Sequence, residues 1–224
     1  MQEIGLYEAM STCRAVRRLR PDPIPDAVLE RLIRAATWAP TGANAQAWRV
    51  VAVRDPEKMQ KLGELYRGVW APYSQQTRAR IAALPEASRG GHERTVAAGD
   101  YLAENFGRTP VSLVWCFDPS RLAITDAHLD RPSVVGGGSL YTAVQNLLLA
   151  CRAEGLGCVL TTLLCARESE VRELLEIPDP WGTFAVVPIG HPVLSGHGPL
   201  SRRSASEMAF LDRWGAPLFG AETE

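Results

Sequence analysis

The sequence has little that would direct the protein to nucleic acid or to a membrane. Its 24 basic and 25 acidic residues give a net charge of −1, whereas proteins that bind nucleic acid usually carry a basic excess. It contains no apolar run near the roughly 20 residues that a membrane span requires. Its first residues, MQEIGLYEAMSTCR, do not resemble a signal peptide. We therefore expect a cytoplasmic protein with no nucleic-acid or membrane partner.

Cysteine and histidine are also scarce, and neither is clustered. The five cysteines form no C-x-x-C pair, and the four histidines lack the spacing of metal ligands. Cysteines in apolar stretches of an intracellular protein are usually reduced core side chains. The cysteines are Cys13, Cys116, Cys151, Cys158 and Cys165. We therefore predict reduced thiols and no metal site.

Familiar catalytic motifs are missing as well. The sequence has no G-x-S-x-G, no evident Cys–His pair, no G-x-G-x-x-G after its first predicted strand and no G-x-x-x-x-G-K-[ST]. The three glycines at 136–138 precede a predicted helix and would suit an anion, but a flexible helix entry is the more economical interpretation. Without an evident catalytic side chain, an enzyme of this kind would take its chemistry from a cofactor.

What is present is an interleaved series of apolar strands and helices. At 224 residues the chain suffices for one domain with a well-buried core or for two small ones. Predicted strands cover 48–55, 111–117, 158–162 and 183–190, which favours an α/β or α+β class. Predicted helices cover 4–10, 27–39, 57–66, 93–106, 139–154 and 166–175, with Asp26 capping the second and the 139–154 helix the longest. The pattern fails over 67–91, which we interpret as a lid or long excursion.

Polar groups stand out at three places. The segment APTGANAQAW, at 39–48, carries amides and a hydroxyl between two apolar elements. Arg14 and Arg17 form one basic group, and Arg202 and Arg203 form another near the far end. Forked arginine contacts suit a phosphate monoester, which carries nearly two negative charges at neutral pH. From the residues alone, solvated arginines and ordinary turn amides remain the alternative.

Four segments follow one another along the chain: CRAVRRLRPDPIP, APTGANAQAWRVVAVRD, GSLYTAVQNLLLACRAEGLGCVLTT and VVPIGHP, with Arg203 after them. Together, in this order, they resemble the FMN-dependent nitroreductase family. The resemblance implies a single nitroreductase-like domain over 1–224, of class α+β, with a central, mostly antiparallel sheet flanked by helices. It also implies an intertwined homodimer with FMN at the subunit interface.

The resemblance assigns the arginines to the cofactor. Arg14 and Arg203 would hold the FMN phosphate, with Arg202 as a helper. Arg17 would lie near the ribityl chain and the N1–C2=O edge of the flavin, where a fixed positive charge stabilises the negative charge that reduction creates. Ala15 stands where the family commonly has serine, so one polar contact to the phosphate or ribityl chain is expected to be absent.

The remaining flavin contacts come from two further segments. The residues implied to line the ribityl chain and ring are Thr41, Asn44 and Gln46, together with Leu160, Thr161, Thr162 and Leu163. The backbone N–H of Thr162 or of Leu163 would bond flavin N5, which explains why no catalytic side chain is evident. Ala47 replaces the usual proline before Trp48, so this loop is expected to be less rigid.

The function implied is NAD(P)H-dependent reduction of nitroaromatic, quinone or activated-alkene acceptors by a ping-pong mechanism, with NADH or NADPH as donor. Trp70, Tyr73 and Phe106 are candidates to stack on flat acceptors, with ordinary packing as the alternative. Flavin fragmentation, reductive dehalogenation, or storage and sensing of FMN without turnover also remain open. The region 67–107 is predicted to be a lid. The region 196–224 is predicted to be an arm onto the partner subunit, although its apolar residues could fold back on their own core.

Overall fold

The computed structural model describes residues 4–194 and 196–219. The helices are α1 (Leu6–Thr12), α2 (Asp26–Thr37), α3 (Pro56–Ala82), α4 (Glu86–Asn105), α5 (Tyr141–Ala153), α6 (Glu168–Leu175) and α7 (Ala205–Met208). The strands are β1 (Leu19–Arg20), β2 (Trp48–Val53), β3 (Val111–Phe117), β4 (Gly157–Cys158) and β5 (Gly182–Pro192). The sheet order is β1-β5-β3-β2, β4 also pairs with β5, and every pairing is antiparallel.

Helices cover both faces of this sheet. Successive side chains of a strand point to opposite faces, and β3 is buried on both. Leu113 and Trp115 share one core with α2 and α5, whereas Val114 and Cys116 share a second core with α3 and α4. The predicted α+β class, an antiparallel sheet flanked by helices, is therefore confirmed.

The first helices differ from the prediction in their boundaries. Asp26 was expected to cap α2, but it is the first helical residue and pairs with Arg54 instead, while Pro25 occupies the cap position. The helix predicted for 57–66 continues to Ala82 and, at 27 residues, is the longest. The prediction that the helical pattern fails after residue 66 is therefore wrong, as is the prediction that the 139–154 helix is the longest.

Helices α3 and α4 pack together as a hairpin. α4 begins at Glu86 rather than at residue 93, so most of the segment predicted as an irregular excursion is helical. The aromatic residues Tyr66, Trp70 and Tyr73 recur on one face of α3, and Pro72 is accommodated within the helix. That face lines a cavity, which is why its pattern did not look like a core stripe. The lid role of 67–107 stays a prediction.

The chain turns sharply after α5. Gly155 has φ +71°, a left-handed conformation that suits glycine at a helix end, and the Leu156 N–H donates to the Cys151 carbonyl at 2.8 Å. The strand predicted for 158–162 is shorter than expected, because β4 ends at Cys158. Beyond it, Thr161 exchanges two backbone hydrogen bonds with Val186, at 2.9 and 2.8 Å. This isolated bridge holds residues 159–163 along the sheet.

The C-terminal segment forms a small turn of its own. Phe210 bridges Pro217, and its ring lies 4.9 Å from that of Trp214. Trp214 is nevertheless 88% exposed. Docking of this arm on a partner stays a prediction, and its part at 220–224 lies outside the described residues. None of the helices in the described ranges is both long enough and apolar enough to cross a membrane.

Candidate active site

Two adjoining cavities lie beside residues 159–163. The first, about 440 Å³, is called here the arginine cavity, and the second, about 290 Å³, the aromatic cavity. Both are lined by Arg17, Val159 and Leu160. Each is near the size range of small-molecule sites, roughly 300–1,000 Å³. Because they share a wall, one extended ligand can contact both.

The arginine cavity takes its charge from the N-terminal segment and the C-terminal tail. Buried Val16 anchors the N-terminal segment, since its N–H donates to the Cys158 carbonyl at 2.8 Å. Arg14, Ala15 and Arg17 line the cavity on either side of Val16, and Arg202 lines it from the tail. Of the ion pairs in the described ranges, none involves these three arginines. Their uncompensated charge suits an anionic ligand.

The aromatic cavity is walled by the α3–α4 hairpin. Tyr66, Trp70 and Tyr73 line it from α3, and their spacing of four and three residues aligns them on one helix face. The Trp70 indole N–H donates to Asp100 on α4 at 2.9 Å. Gly99 makes room for this indole, because a Cβ there would lie 2.2 Å from it. Trp70 is therefore held both by a hydrogen bond and by packing.

Phe106 does not line this cavity. It is fully buried, and its ring lies 4.9 Å from that of Tyr66. The prediction that Phe106 shapes the acceptor pocket is therefore corrected: Phe106 supports Tyr66 from behind, and Tyr66 reaches the cavity. Burial raises the pKa of Tyr66, against the opposing effects of the Thr161 hydroxyl and Arg17, so its phenol stays neutral at pH 7. The spacing to Trp70 and Tyr73 was the signal that could have identified Tyr66.

Residues 160–163 face Tyr66, Trp70 and Tyr73 across the aromatic cavity. The Leu163 N–H donates to the Thr161 hydroxyl at 3.3 Å, and the Thr161 backbone is bonded to Val186. Thr162 is an exposed residue, and its N–H has no acceptor within the described part of the chain. Of the two backbone donors predicted for the cofactor, the Thr162 N–H is thus the one left available.

The loop at 41–46 lies elsewhere. Its Gly42 N–H donates to Ser139 Oγ at 2.9 Å, and Thr142 Oγ1 donates to the Pro40 carbonyl at 3.4 Å, so the loop rests on the start of α5. Its polar groups bond one another: Gln46 Nε2 donates to Asn44 Oδ1, and the backbone N–H of Gln46 donates to Thr41 Oγ1. Thr41, Asn44 and Gln46 line neither cavity.

The structure thus brings together only part of the predicted site. The residues that meet at the two cavities are Arg14, Ala15, Arg17, Leu160, Thr161, Thr162, Leu163, Arg202, Trp70 and Tyr73. Arg203, expected to hold the phosphate together with Arg14, is exposed and lines neither cavity. Sequence reasoning missed Met10, Cys13, Tyr66, Thr77, Thr95, Val96, Gln145, Leu148, Cys158, Val159 and Leu200. Most of these are ordinary helix or core residue types, which carry no motif.

Known proteins resemble this chain in sequence and in fold. A model of the Nitroreductase family matches residues 11–191. The 5,6-dimethylbenzimidazole synthase of Rhodobacter capsulatus is 30% identical over 94% of both chains. A putative NADH dehydrogenase/NAD(P)H nitroreductase of Methanothermobacter thermautotrophicus is 25% identical over 86% of this chain and 80% of the relative. The NADPH:FMN oxidoreductase of Vibrio harveyi, solved with NAD⁺, superposes with a TM-score of 0.64 at 21% identity, covering 93% of this chain and 77% of its own.

The chain belongs to the Nitroreductase family. This confirms the family resemblance and the predicted fold class. It also confirms the predicted enzyme class, a flavin oxidoreductase.

Proposed function

We propose that this protein binds FMN across the two cavities and uses it to transfer electrons from NADH or NADPH to a small organic acceptor. The carrying observation is the juxtaposition of unpaired arginines in one cavity with aromatic walls in the other, joined at Arg17 and Leu160. FMN has the same order along its length, with a charged phosphate at one end and a flat aromatic ring at the other. Arg14 and Arg202 would hold its phosphate, and residues 160–163 would lie beside its ring.

FMN, when bound, supplies the hydride chemistry that this chain's side chains lack. Arg17, at the junction of the cavities, provides a fixed positive charge where reduction would build negative charge. The unpaired Thr162 N–H is a donor for the flavin ring edge. The hairpin wall of Tyr66, Trp70 and Tyr73 excludes water from one side and offers flat surfaces to nitroaromatic, quinone or activated-alkene acceptors.

A homodimer would complete the site. Thr41, Asn44 and Gln46 line neither cavity of their own chain, so a second copy of this chain would contribute this loop to each FMN. Large apolar side chains are exposed on α1 and at the end of α2, with Tyr7 85% and Trp38 74% exposed. Contiguous exposed apolar surface favours association. The C-terminal arm, with exposed Trp214, is a further candidate contact.

A visible spectrum of the purified protein, before and after anaerobic addition of NADH or NADPH, tests the proposal. We expect a flavin spectrum that either nicotinamide bleaches and that a quinone or nitroaromatic acceptor restores. A colourless protein that takes up no added FMN would refute it. A bound flavin that neither nicotinamide reduces would favour storage or sensing instead.

A second candidate function is oxygen-dependent fragmentation of reduced flavin. The observation that favours it is the relative named 5,6-dimethylbenzimidazole synthase, which aligns over 94% of both chains. Aerobic incubation with chemically reduced FMN, followed by chromatography of the products, separates the two functions. Accumulation of a benzimidazole would support fragmentation, and quantitative recovery of oxidised FMN would exclude it.

A further inference from the structure

The tail that carries Arg202 reaches the arginine cavity through a three-residue attachment at 196–198, called here the clasp. We propose that His197 is a positioning residue for the FMN phosphate: it fixes the clasp to the body and so fixes Arg202 opposite Arg14. The inference rests on the proposed FMN function and adds to it a residue that contacts neither cavity.

The clasp is bonded to both walls that meet at the cavity. His197 Nε2 lies 2.9 Å from the carbonyl oxygen of Leu156, the residue just before β4. The Gly198 N–H donates to the Thr12 carbonyl, at the end of α1, at 3.2 Å. β4 leads to the lining residues 158–160, and α1 leads to Arg14. The clasp is therefore hydrogen-bonded to both chain segments that lead into the lining of the arginine cavity.

Gly196 lets the chain pass close to the body, and Gly198 places it beside Arg14. Gly196 has φ +68°, and a Cβ there would lie 2.8 Å from Pro192. A Cβ on Gly198 would lie 3.6 Å from a terminal guanidinium nitrogen of Arg14, in ordinary contact. The clasp therefore runs directly beside the arginine that is proposed to bind phosphate.

His197 is the side chain that holds this passage. Its Nε2 bonds the Leu156 carbonyl, and its buried Nδ1 has no partner at hydrogen-bond distance among the described residues, although the Thr12 backbone is close enough to act on the ring. Leu200 and Arg202 follow within five residues and line the cavity. Removing the imidazole leaves the Gly198 N–H as the remaining clasp hydrogen bond, so the position of Arg202 becomes less defined.

The proposal makes a prediction that a merely structural role does not. The clasp orders the phosphate end of the cavity and none of the residues 160–163 that would lie beside the ring. Riboflavin has the same ring and ribityl chain as FMN but lacks the phosphate. Loss of His197 should therefore weaken FMN binding and leave riboflavin binding nearly unchanged.

The experiment measures dissociation constants of FMN and riboflavin by quenching of flavin fluorescence, using flavin-stripped protein. We expect His197→Ala to weaken FMN about tenfold and riboflavin less than twofold. His197→Gln keeps an N–H that can reach the Leu156 carbonyl and should recover most of the FMN affinity. His191→Ala, on β5 and outside both cavities, is the matched control and should bind both flavins normally.

Each other outcome is decisive. Equal weakening of both flavins by His197→Ala would reduce His197 to general support of the fold and overturn the inference. Unchanged binding of both would overturn it as well. If His197→Ala does not fold, His197→Leu, which fills much of the imidazole volume but has no donor for the Leu156 carbonyl, is measured in its place against the same criterion. If the wild-type protein binds riboflavin as tightly as FMN, the proposed phosphate site is refuted instead.

Discussion

The arginine cavity and the aromatic cavity are built by different means. The arginine cavity is formed by extended segments that backbone hydrogen bonds hold, such as Val16 on Cys158 and Gly198 on Thr12. The aromatic cavity is formed by two long helices whose side chains interlock, as Trp70 does with Gly99 and Asp100. The arginine cavity is defined by its charge, and the aromatic cavity is defined by its shape. Changes to the first should therefore alter cofactor affinity, and changes to the second should alter the choice of acceptor.

The largest expected effect is on the arginine side. Arg14→Ala removes a charge with no carboxylate partner in the described ranges, so FMN affinity should fall by about 1.5–3 kcal/mol, the usual value of a charged hydrogen bond. Calorimetric titration with FMN measures it. Arg18→Ala is the control, because Arg18 stacks over Tyr101 at 4.9 Å and lines neither cavity. Equal losses in both variants would contradict a localised phosphate site.

On the aromatic side, Gly99→Ala forces a Cβ against the Trp70 indole. Overpacking of this kind costs roughly 1–3 kcal/mol of unfolding free energy, which urea denaturation measures. The displaced indole should also raise the KM for flat acceptors while the FMN dissociation constant changes less than twofold. Gly91→Ala is the matched control on the same helix, where a Cβ would have its nearest contact at 3.9 Å; it should leave the KM unchanged. A Gly99→Ala variant that loses FMN would contradict the division between the cavities.

The two tail arginines give a smaller and sharper contrast. The family resemblance favours Arg203 as the phosphate ligand, whereas Arg202 is the one that lines the cavity. We expect Arg202→Ala to weaken FMN by about 1 kcal/mol and Arg203→Ala by less, measured in the same titrations. The reverse order would show that the bound tail differs from the conformation described.

The smallest effect is a pH dependence at His197. Burial lowers the pKa of His197 from its ordinary value of 6.5, and the charge of Arg152 contributes, although hydrogen bonding to the Leu156 and Thr12 backbone opposes the shift. The charged groups around it are Arg152, Glu8, which lies 3.7 Å from Arg152, and Arg14. A depressed histidine pKa means that the unfolded chain binds the proton more readily, so the stability from neutral His197 is present above pH 6.5 and declines as pH falls. Urea denaturation from pH 7 to pH 5 should show this slope, and it should be shallower in His197→Gln.

Much of the fold could be predicted because local pattern and tertiary role agree there. β3 and β5 are continuous apolar runs that are buried on both faces, and the stripe of α5 from Leu140 to Cys151 faces the core. The hairpin was missed because Tyr66, Trp70 and Tyr73 face a cavity. Periodic hydrophobicity indicates which side chains pack against the rest of the protein. It does not identify a helix face that lines a cavity.

The family resemblance selects residues for the site but does not give their arrangement. Thr41, Asn44 and Gln46 belong to one of the family motifs, yet their loop rests on Ser139 and Thr142, outside the cavity that Arg14 and Arg17 line. A motif identifies residues by type and order and does not show which of them the fold brings to one cavity. Phe106 shows a related limit, since an aromatic residue next to a pocket and one behind it have the same sequence signature.

The loop at 41–46 has one further consequence. Ala43, Asn44 and Gln46 all have left-handed backbone, with φ of 50°, 53° and 45°. Each such non-glycine residue costs roughly 1–2 kcal/mol, and here the rest of the fold maintains all three. The loop therefore takes its shape when the chain folds. The conformational entropy of ordering the loop is lost during folding, and none of it has to be lost when a ligand binds. A surface prepared in this way binds with less reorganisation, at the expense of a fold that is less stable than its packing alone would make it.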